Sequence, residues 1–254
     1  MRTTLKVAIL PVVFLALASA AYADNITLNS GNGSNGSHSN GALEYLGTST
    51  MPLNEQGPNP TVALSAPINP TAPSSSKTSF DTSAGGWTAA IVGTSWVTNT
   101  SLSGYSCSGS QCDANAFYYN ETTFSATGGS TPYDGSISVM ADDTAEVLLN
   151  GVVIVPFGVI GSDNHCSAGQ PACTVVDTIS LNGILLNAGT NTNTLEIIDA
   201  QTDLSGAGVD FSADLTSAPP VPEPSSLLLL GTGLLGLAFG LFRKNKASGL
   251  VLNL

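Results

Sequence analysis

Short runs of alternating apolar and polar residues make up most of the chain from Trp87 to Leu215, with Gly, Asn, Asp and Ser clusters between them. Alternation with a period of two is typical of β-strands that bury one face, and such clusters mark turns. In one run, Ile137, Val139 and Ala141 share one face and Ser side chains fall opposite. The runs predict strands at Trp87–Val92, Ser95–Thr98, Ala116–Ala126, Gly135–Ala141, Ala145–Leu149, Val152–Phe157, Thr174–Leu181, Thr194–Ile198 and Val209–Leu215.

A hairpin is predicted where Asn150-Gly151 separates two apolar runs. Both central positions of a type I′ turn need a positive φ, which Asn and Gly tolerate best. Between the two ends of the chain the sequence shows no long helical period. We therefore expect an all-β fold in which several short strands pack as a β-sandwich.

The first 23 residues have the layout of a secretory signal peptide. A basic start precedes an apolar run from Val7 to Ala18, and an A-x-A site ends at Ala23. We expect cleavage between Ala23 and Asp24. An anchoring helix is the alternative, which the short apolar run and Pro11 disfavour.

The C-terminus has three parts in a fixed order. An apolar run, Leu227–Phe242, carries no charge and would form a helix roughly 24 Å long, a marginal fit to a bilayer core of about 30 Å. We expect a transmembrane helix over this run, with a basic cluster that stays in the cytoplasm. The flanking parts are a proline-rich motif and that cluster, formed by Val221, Pro222, Glu223 and Pro224 and by Arg243, Lys244 and Lys246.

These residues resemble the PEP-CTERM sorting signal, in which a Pro-Glu-Pro motif, a Gly-containing apolar helix and a basic tail follow one another. The resemblance covers Val221 to Lys246. It implies recognition by an exosortase, a membrane transpeptidase-like protease of bacteria that make extracellular polysaccharide. The chain continues as Ala247–Leu254, where the family usually ends. A plain C-terminal membrane anchor is the alternative.

Five segments are therefore expected along the chain. They are a signal peptide (1–23), a low-complexity, Pro/Ser-rich leading segment (24–80), a β-sandwich domain (81–217), the sorting signal (218–246) and a short tail (247–254). Within the leading segment, 29–41 is rich in Asn, Gly and Ser and has too little apolar surface to fold alone. Only 61–64 has a strand-like pattern there.

Three motifs in the sandwich resemble those of exported bacterial β-sandwiches. One is a strand with paired tyrosines at Tyr118–Phe124, one an Ala-Asp-Asp hairpin within Ile137–Gly151, and one the approach to a late strand at Asn187–Leu195. Together they resemble a galactose-binding-type jelly roll. The resemblance implies sugar binding, structural calcium binding or a spacer role, and the fold alone does not choose among them.

Charge is distributed very unevenly. The segment between the terminal signals carries Lys77 as its only Lys or Arg, against 17 of the chain's 18 acidic residues, a formal charge of about −16. Nucleic acids need a basic patch, so this class of partner is excluded. Acidic polymers are repelled, which leaves cations and neutral polysaccharides as partners.

The four cysteines form two close pairs, Cys107 with Cys112 and Cys166 with Cys173. An even number in an exported chain predicts disulfides, although four cysteines allow three connectivities. We favour the two local pairs because short loops close at low entropic cost. A zinc site is the alternative, but the spacings are not those of zinc knuckles.

No known catalytic motif occurs in the sequence. The two histidines, His38 and His165, lie in polar stretches, and G-x-S-x-G, H-E-x-x-H and P-loop patterns are missing, as is a Rossmann fingerprint placed after a predicted strand. We expect a noncatalytic exported surface or extracellular-matrix protein that an exosortase sorts and that binds glycan or calcium. The alternative is a secreted carbohydrate-active hydrolase using acidic residues such as Asp142 or Glu146.

Two sets of side chains are candidates for binding. Asp142 and Asp143 could bind calcium through carboxylate oxygens, helped by Asp199 or Asp210, but turn aspartates commonly bond to their own backbone instead. Aromatic side chains could stack on sugars, but such residues more often belong to a core. The aromatic candidates are Trp87, Trp96, Tyr118 and Tyr119.

The two terminal signals predict an exported form that begins at Asp24 and ends near Pro222–Pro224. The intact mass of protein recovered from the cell exterior measures both ends. Deleting Pro222–Pro224 should prevent the C-terminal cut and leave the N-terminal cut unchanged. Released protein that still contains Leu254 would contradict this processing.

Overall fold

The computed structural model describes residues 23–31, 43–57, 60, 62–67, 80–82, 87–98, 114–127, 131–160, 169–189, 192–218 and 224–248. The chain divides into two compact units. One is Asp24–Ala218, a β-sandwich. The other is formed by the two ends of the chain, and its described part is a single helix, α1 (Pro224–Ser248).

The sandwich consists of two sheets. Sheet A contains β1 (Asn25–Asn29), β3 (Phe80–Thr82), β4 (Trp96–Thr98), β6 (Tyr133–Asp142), β9 (Asp177–Ile184) and β11 (Gly208–Ser217). Sheet B contains β2 (Glu44–Thr50), β5 (Ala116–Ser125), β7 (Thr144–Leu149), β8 (Val152–Val155) and β10 (Thr192–Gln201). A short 3-10 helix, Leu53–Glu55, follows β2.

The strand order is that of a jelly roll. Sheet A runs β3-β4-β11-β6-β9, with β1 also paired to β11, and sheet B runs β2-β5-β10-β7-β8, with antiparallel pairing throughout. From β5 onward the chain changes sheet at every connection except the β7–β8 hairpin. This repeated crossing between two packed antiparallel sheets is the jelly-roll topology. The fold predicted from the sequence is confirmed.

The space between the sheets holds the main core. Inward positions alternate with outward ones, so that Ile137 and Val139 of β6 face Val147 of β7 and Ile197 of β10 across the interior. Each of these side chains is fully buried. Burial of an aliphatic side chain of this size stabilises the fold by roughly 1.5–3 kcal/mol, so this core is the main source of stability.

The Asn150-Gly151 hairpin forms as predicted. Both residues have a positive φ, 52° and 77°, and Leu149 pairs with Val152. The Asn150 side chain also bonds to the neighbouring strand β10. Its Nδ2 donates to Asn193 Oδ1 at 3.0 Å and its Oδ1 accepts from Thr194 N at 2.9 Å.

One strand prediction fails outside this core. Trp87–Val92 is a loop and not a strand, because its backbone is held by Asp210, whose Oδ2 accepts from Ile91 N at 2.8 Å. The strand-like pattern at 61–64 gives no strand in its described residues, Val62–Leu64. The segment expected to lead into the domain instead supplies β1 and β2, which complete the two sheets.

Two replacements of Asn150 distinguish the energetic cost of its positive φ from the contribution of its side-chain hydrogen bonds. Asn150→Ala should lower the free energy of unfolding by about 2 kcal/mol, because it loses hydrogen bonds and strains a positive φ. Asn150→Gly keeps the backbone freedom and should cost about 1 kcal/mol less than Asn150→Ala. Chemical denaturation measures both, and equal losses would contradict the backbone argument.

Candidate functional site

The chain passes from sheet A to sheet B through a buried acidic corner. β6 ends at Asp142, β7 begins at Thr144, and Asp143 is the single residue between them. The two aspartates are 0% and 3% exposed. Sequence reasoning placed them in a turn with solvated carboxylates, whereas the structure buries both carboxylates.

Hydrogen bonds tie the corner to two distant segments. Asp142 Oδ2 accepts from the indole Nε1 of Trp87 at 2.5 Å. Asp143 Oδ2 accepts from Thr202 N at 2.7 Å and Thr202 Oγ1 at 2.6 Å, and Asp143 N donates to Ala200 O at 3.1 Å. The other oxygen of Asp142, Oδ1, is buried without a hydrogen-bond partner.

Burial raises the pKa of both carboxyl groups. For Asp142 the pKa lies well above its usual value because of desolvation first and the charge of Asp143 second. For Asp143 burial raises the pKa to about 6, although the bonds from Thr202 oppose the rise. The corner is therefore partly protonated near neutral pH.

The acidic corner is the candidate calcium site of the sequence analysis. Calcium takes six to eight oxygen ligands, and among the residues that the structure describes no group of three or more His, Cys, Asp or Glu side chains could hold a metal. Asp210, an expected helper, uses its carboxylate on Ser30, Thr94 and Ile91. Calcium binding at Asp142 and Asp143 stays a prediction of the sequence, and the function proposed below does not use it.

The four aromatic candidates for sugar stacking are all buried. Trp87 and Trp96 pack on each other, with ring centroids 4.4 Å apart, against Met140 and Cys173. Tyr118 packs near Ala116, and the Tyr119 hydroxyl donates to Pro67 O. Sequence reasoning treated these rings as platforms or core, and the structure places them in the core.

An open cleft lies instead on the outer face of sheet B. It has a volume of about 480 Å³, within the range of small-ligand sites. Two segments supply its apolar walls, and among the described lining residues Glu146 of β7 is the charged one. The wall residues used below are Val62, Leu64, Pro156, Phe157, Val159 and Ile160.

One wall of the cleft is a strap, Val62–Pro67, that crosses the outer face of sheet B. Leu64 and Ala66 pack on a buried cluster that includes Phe117 and Tyr119. Ser65 N donates to Glu55 Oε2 at 3.2 Å. The strap was missed by sequence reasoning because its proline- and serine-rich composition is typical of a loop.

Glu146 is half-buried among these groups. Burial raises its pKa above the ordinary glutamate value. Its neighbour Glu196 on β10 also has a raised pKa, through burial and then through the charges of Glu121 and Glu146. The cleft therefore presents a carboxylate in a partly desolvated setting, where a hydrogen bond to it is stronger than in open water.

The sorting residues lie on α1 or just before it. Pro224 is the first residue of the helix, and Arg243 and Lys244 are exposed near its end. Lys246 lies in the helix, and Val221, Pro222 and Glu223 fall outside the described residues. In the part of the chain that the structure describes, no helix reaches the length and apolarity needed to cross a membrane.

Cys173 is buried and disulfide-bonded. Cys107, Cys112 and Cys166 fall outside the described residues, as do both histidines and the predicted signal peptide up to Tyr22. The two local pairings therefore stay predictions.

Residues 220–244 match the PEP-CTERM protein-sorting motif. The match confirms the resemblance drawn from the sequence for this end of the chain. No curated protein matches the chain in sequence.

Solved structures with a similar fold include carbohydrate-binding modules. A GH26-CBM35 beta-(1,4)-mannanase from Podospora anserina has 18% identity and a TM-score of 0.35, covering 79% of this chain and 29% of that one. A family 35 module from Clostridium thermocellum has 16% identity and a TM-score of 0.28, covering 53% and 84%. One from an environmental isolate has 15% identity and a TM-score of 0.28, covering 70% and 98%. The jelly-roll assignment rests on the strand order described above.

The acidic corner predicts that mild acid stabilises the sandwich. A carboxyl group whose pKa is higher in the folded than in the unfolded chain binds more protons when folded. Unfolding free energy should therefore rise as pH falls from about 7.5 towards 4, by up to about 3 kcal/mol for Asp143 alone. Below the unfolded pKa of about 3.9 this gain stops growing.

Asp142→Asn tests the origin of that pH dependence. The neutral amide keeps an acceptor for the Trp87 indole, so the variant should be more stable than the parent at pH 7.5 and show a flatter profile. Asp134→Asn removes one carboxylate from the exposed surface and serves as the control. Thermal melts at several pH values measure all three proteins, and an unchanged slope in Asp142→Asn would contradict the assignment.

Proposed function

We propose that this is a noncatalytic exported surface or matrix protein whose jelly-roll domain binds neutral glycans in the cleft beside Glu146. One observation carries the proposal: among the described residues, apolar walls and the half-buried Glu146 carboxylate meet in an open cleft on the outer face of sheet B. A sugar ring has an apolar C–H face and a rim of hydroxyls. The walls suit the face, and the carboxylate accepts hydrogen bonds from the rim.

The charge of the domain supports a neutral ligand. With 17 acidic residues and Lys77 between the terminal signals, the domain has a formal charge of about −16 and repels anionic polymers. Glu146 itself would repel a carboxylated or sulfated sugar at close range. Neutral hexose polymers meet no such barrier.

The sorting motif supports display at the cell exterior. Residues 220–244 match a protein-sorting motif, and the uncharged run Leu227–Phe242 is followed by three basic residues. In our proposal this run enters the membrane during export, the basic end stays inside, and an exosortase acts at Pro222–Pro224. The sandwich then faces the extracellular polysaccharide.

A hydrolase would need two carboxylates facing one another across bound substrate. Asp142, the residue on which that alternative chiefly depended, is 0% exposed and cannot contact a glycan. Glu146 lines the cleft without a second acidic residue among the lining side chains of the described segments. The experiment below therefore also measures glycan hydrolysis, so that the hydrolase alternative is tested.

Glu146→Gln tests the cleft. Affinity of the full chain for neutral oligosaccharides on an array should fall about tenfold, because a charge-assisted hydrogen bond becomes a neutral one. Glu44→Gln is the matched control, since Glu44 is exposed on β2 of the same sheet and does not line the cleft. A double change, Val62→Ser with Val159→Ser, should also weaken binding by removing apolar wall area from two exposed positions.

Three results would contradict the proposal. The chain could bind no neutral glycan, it could bind them equally well after both glutamate changes, or it could prefer acidic sugars. Reducing-end assays run in parallel detect turnover. Release of sugar by the parent protein that disappears in Glu146→Gln would establish the hydrolase instead.

A further inference from the structure

The outer face of sheet A carries a regular array of small polar side chains. Four strands, β1, β11, β6 and β9, lie side by side, and their outward residues align in rows across the sheet. The rows are Asn25–Thr216–Asp134, Thr27–Asp214–Ser136–Ser180 and Asn29–Ser212–Ser138–Thr178. We call these residues the polar array.

The alternation along each strand establishes which way the array faces. Ile26, Leu28, Ile137 and Val139 lie between its members and are buried in the core. The array members themselves are exposed or half-exposed. Neighbouring strands are about 4.8 Å apart, and alternate residues on a strand are about 6.8 Å apart, so the polar groups form a two-dimensional lattice.

The chemistry of the array is nearly uniform. It combines serine and threonine hydroxyls with two asparagine amides, and its only charges are two aspartates. Both are already engaged: Asp214 Oδ1 accepts from Thr27 Oγ1 and Asp134 Oδ1 from Gly183 N, each at 2.7 Å. Hydroxyls and amides both donate and accept hydrogen bonds.

We propose that the polar array is a second carbohydrate-contacting surface, fitted to the packed chains of a neutral polysaccharide. A hydroxyl-covered glycan surface offers the same mixture of donors and acceptors. Individual hydrogen bonds at an exposed face contribute little in water, so this surface needs many simultaneous contacts and suits packed chains more than a single oligosaccharide. The proposal rests on the extracellular location in the proposed function but not on the cleft.

Other occupants fit the array less well. Anionic polymers are repelled by a domain of about −16 formal charge, and so is a second copy of this chain. A second copy would also gain little, because the array offers almost no apolar area to bury. Cationic polymers would be attracted, but by charge alone, and that binding would weaken with salt.

The test is adsorption of the full chain to insoluble neutral glycans, with cellulose, β-1,4-mannan and starch granules as probes. A face variant, Ser138→Ala/Thr178→Val/Thr216→Val, removes three hydroxyls from the array. The matched control, Ser125→Ala/Thr50→Val/Thr123→Val, makes the same three exchanges at exposed positions of sheet B. The partition coefficient should fall about tenfold for the face variant and stay within about twofold for the control.

Three comparisons decide the outcome. Adsorption that is unchanged by Glu146→Gln and by raising the salt concentration supports a neutral surface contact distinct from the cleft. Adsorption to none of the three glycans, an equal loss in both triple variants, or a steep loss with salt overturns the proposal. If the face variant melts earlier than its control, Ser180→Lys on the edge strand β9 replaces it, with Thr123→Lys as control. The same loss is expected from this single bulky change.

Discussion

The structure depends on the crossing of the chain between its two sheets at Asp142 and Asp143. With one residue between β6 and β7, the chain has no loop that could carry these side chains to the surface. The desolvation cost of two neighbouring carboxylates must then be offset inside the protein. The Trp87 indole and the Thr202 amide and hydroxyl supply the hydrogen bonds. The corner thereby positions the 87–98 segment and the turn after β10.

Neutral donors also stabilise a second buried carboxylate, because the segment between the terminal signals has almost no basic residues. Asp210 is also buried, and its oxygens accept from Ser30, Thr94 and the Ile91 amide. Burial raises its pKa, and these bonds oppose the rise. Neutral donors thus perform the role that lysine or arginine has in most proteins. A domain built in this way keeps a strongly negative surface without needing internal ion pairs at these sites.

The two outer faces of the sandwich differ in their side-chain chemistry. Sheet B carries apolar and acidic side chains, and the strap Val62–Pro67 covers part of it and creates the cleft beside Glu146. Sheet A carries the polar array, with little apolar surface in its rows. Each outer face also carries a buried apolar cluster, Trp87 and Trp96 on Met140 over sheet A and the strap on Phe117 and Tyr119 over sheet B. The exposed parts of both faces are free to serve recognition.

Local patterns were enough to determine much of this protein from its sequence. Alternation with a period of two located most of the core strands, and Asn150-Gly151 located the hairpin because positive φ is a local demand. The sorting signal was also recognisable, since its three parts are contiguous. The charge of the domain follows from composition alone and excluded nucleic acids.

Features that depend on contacts between distant segments were determined only by the tertiary structure. Trp87–Val92 has a strand-like composition, but the hydrogen bond that Ile91 N donates to Asp210 and the packing of Trp87 on Trp96 hold it as a loop. The aspartate pair lies inside the protein because the crossing between sheets is short, a property of topology that the residues do not reveal. Likewise, the strap and Glu146 are far apart in sequence and form a cleft only after folding. Side-chain contacts of this kind are set by three-dimensional packing, which a one-dimensional pattern does not contain.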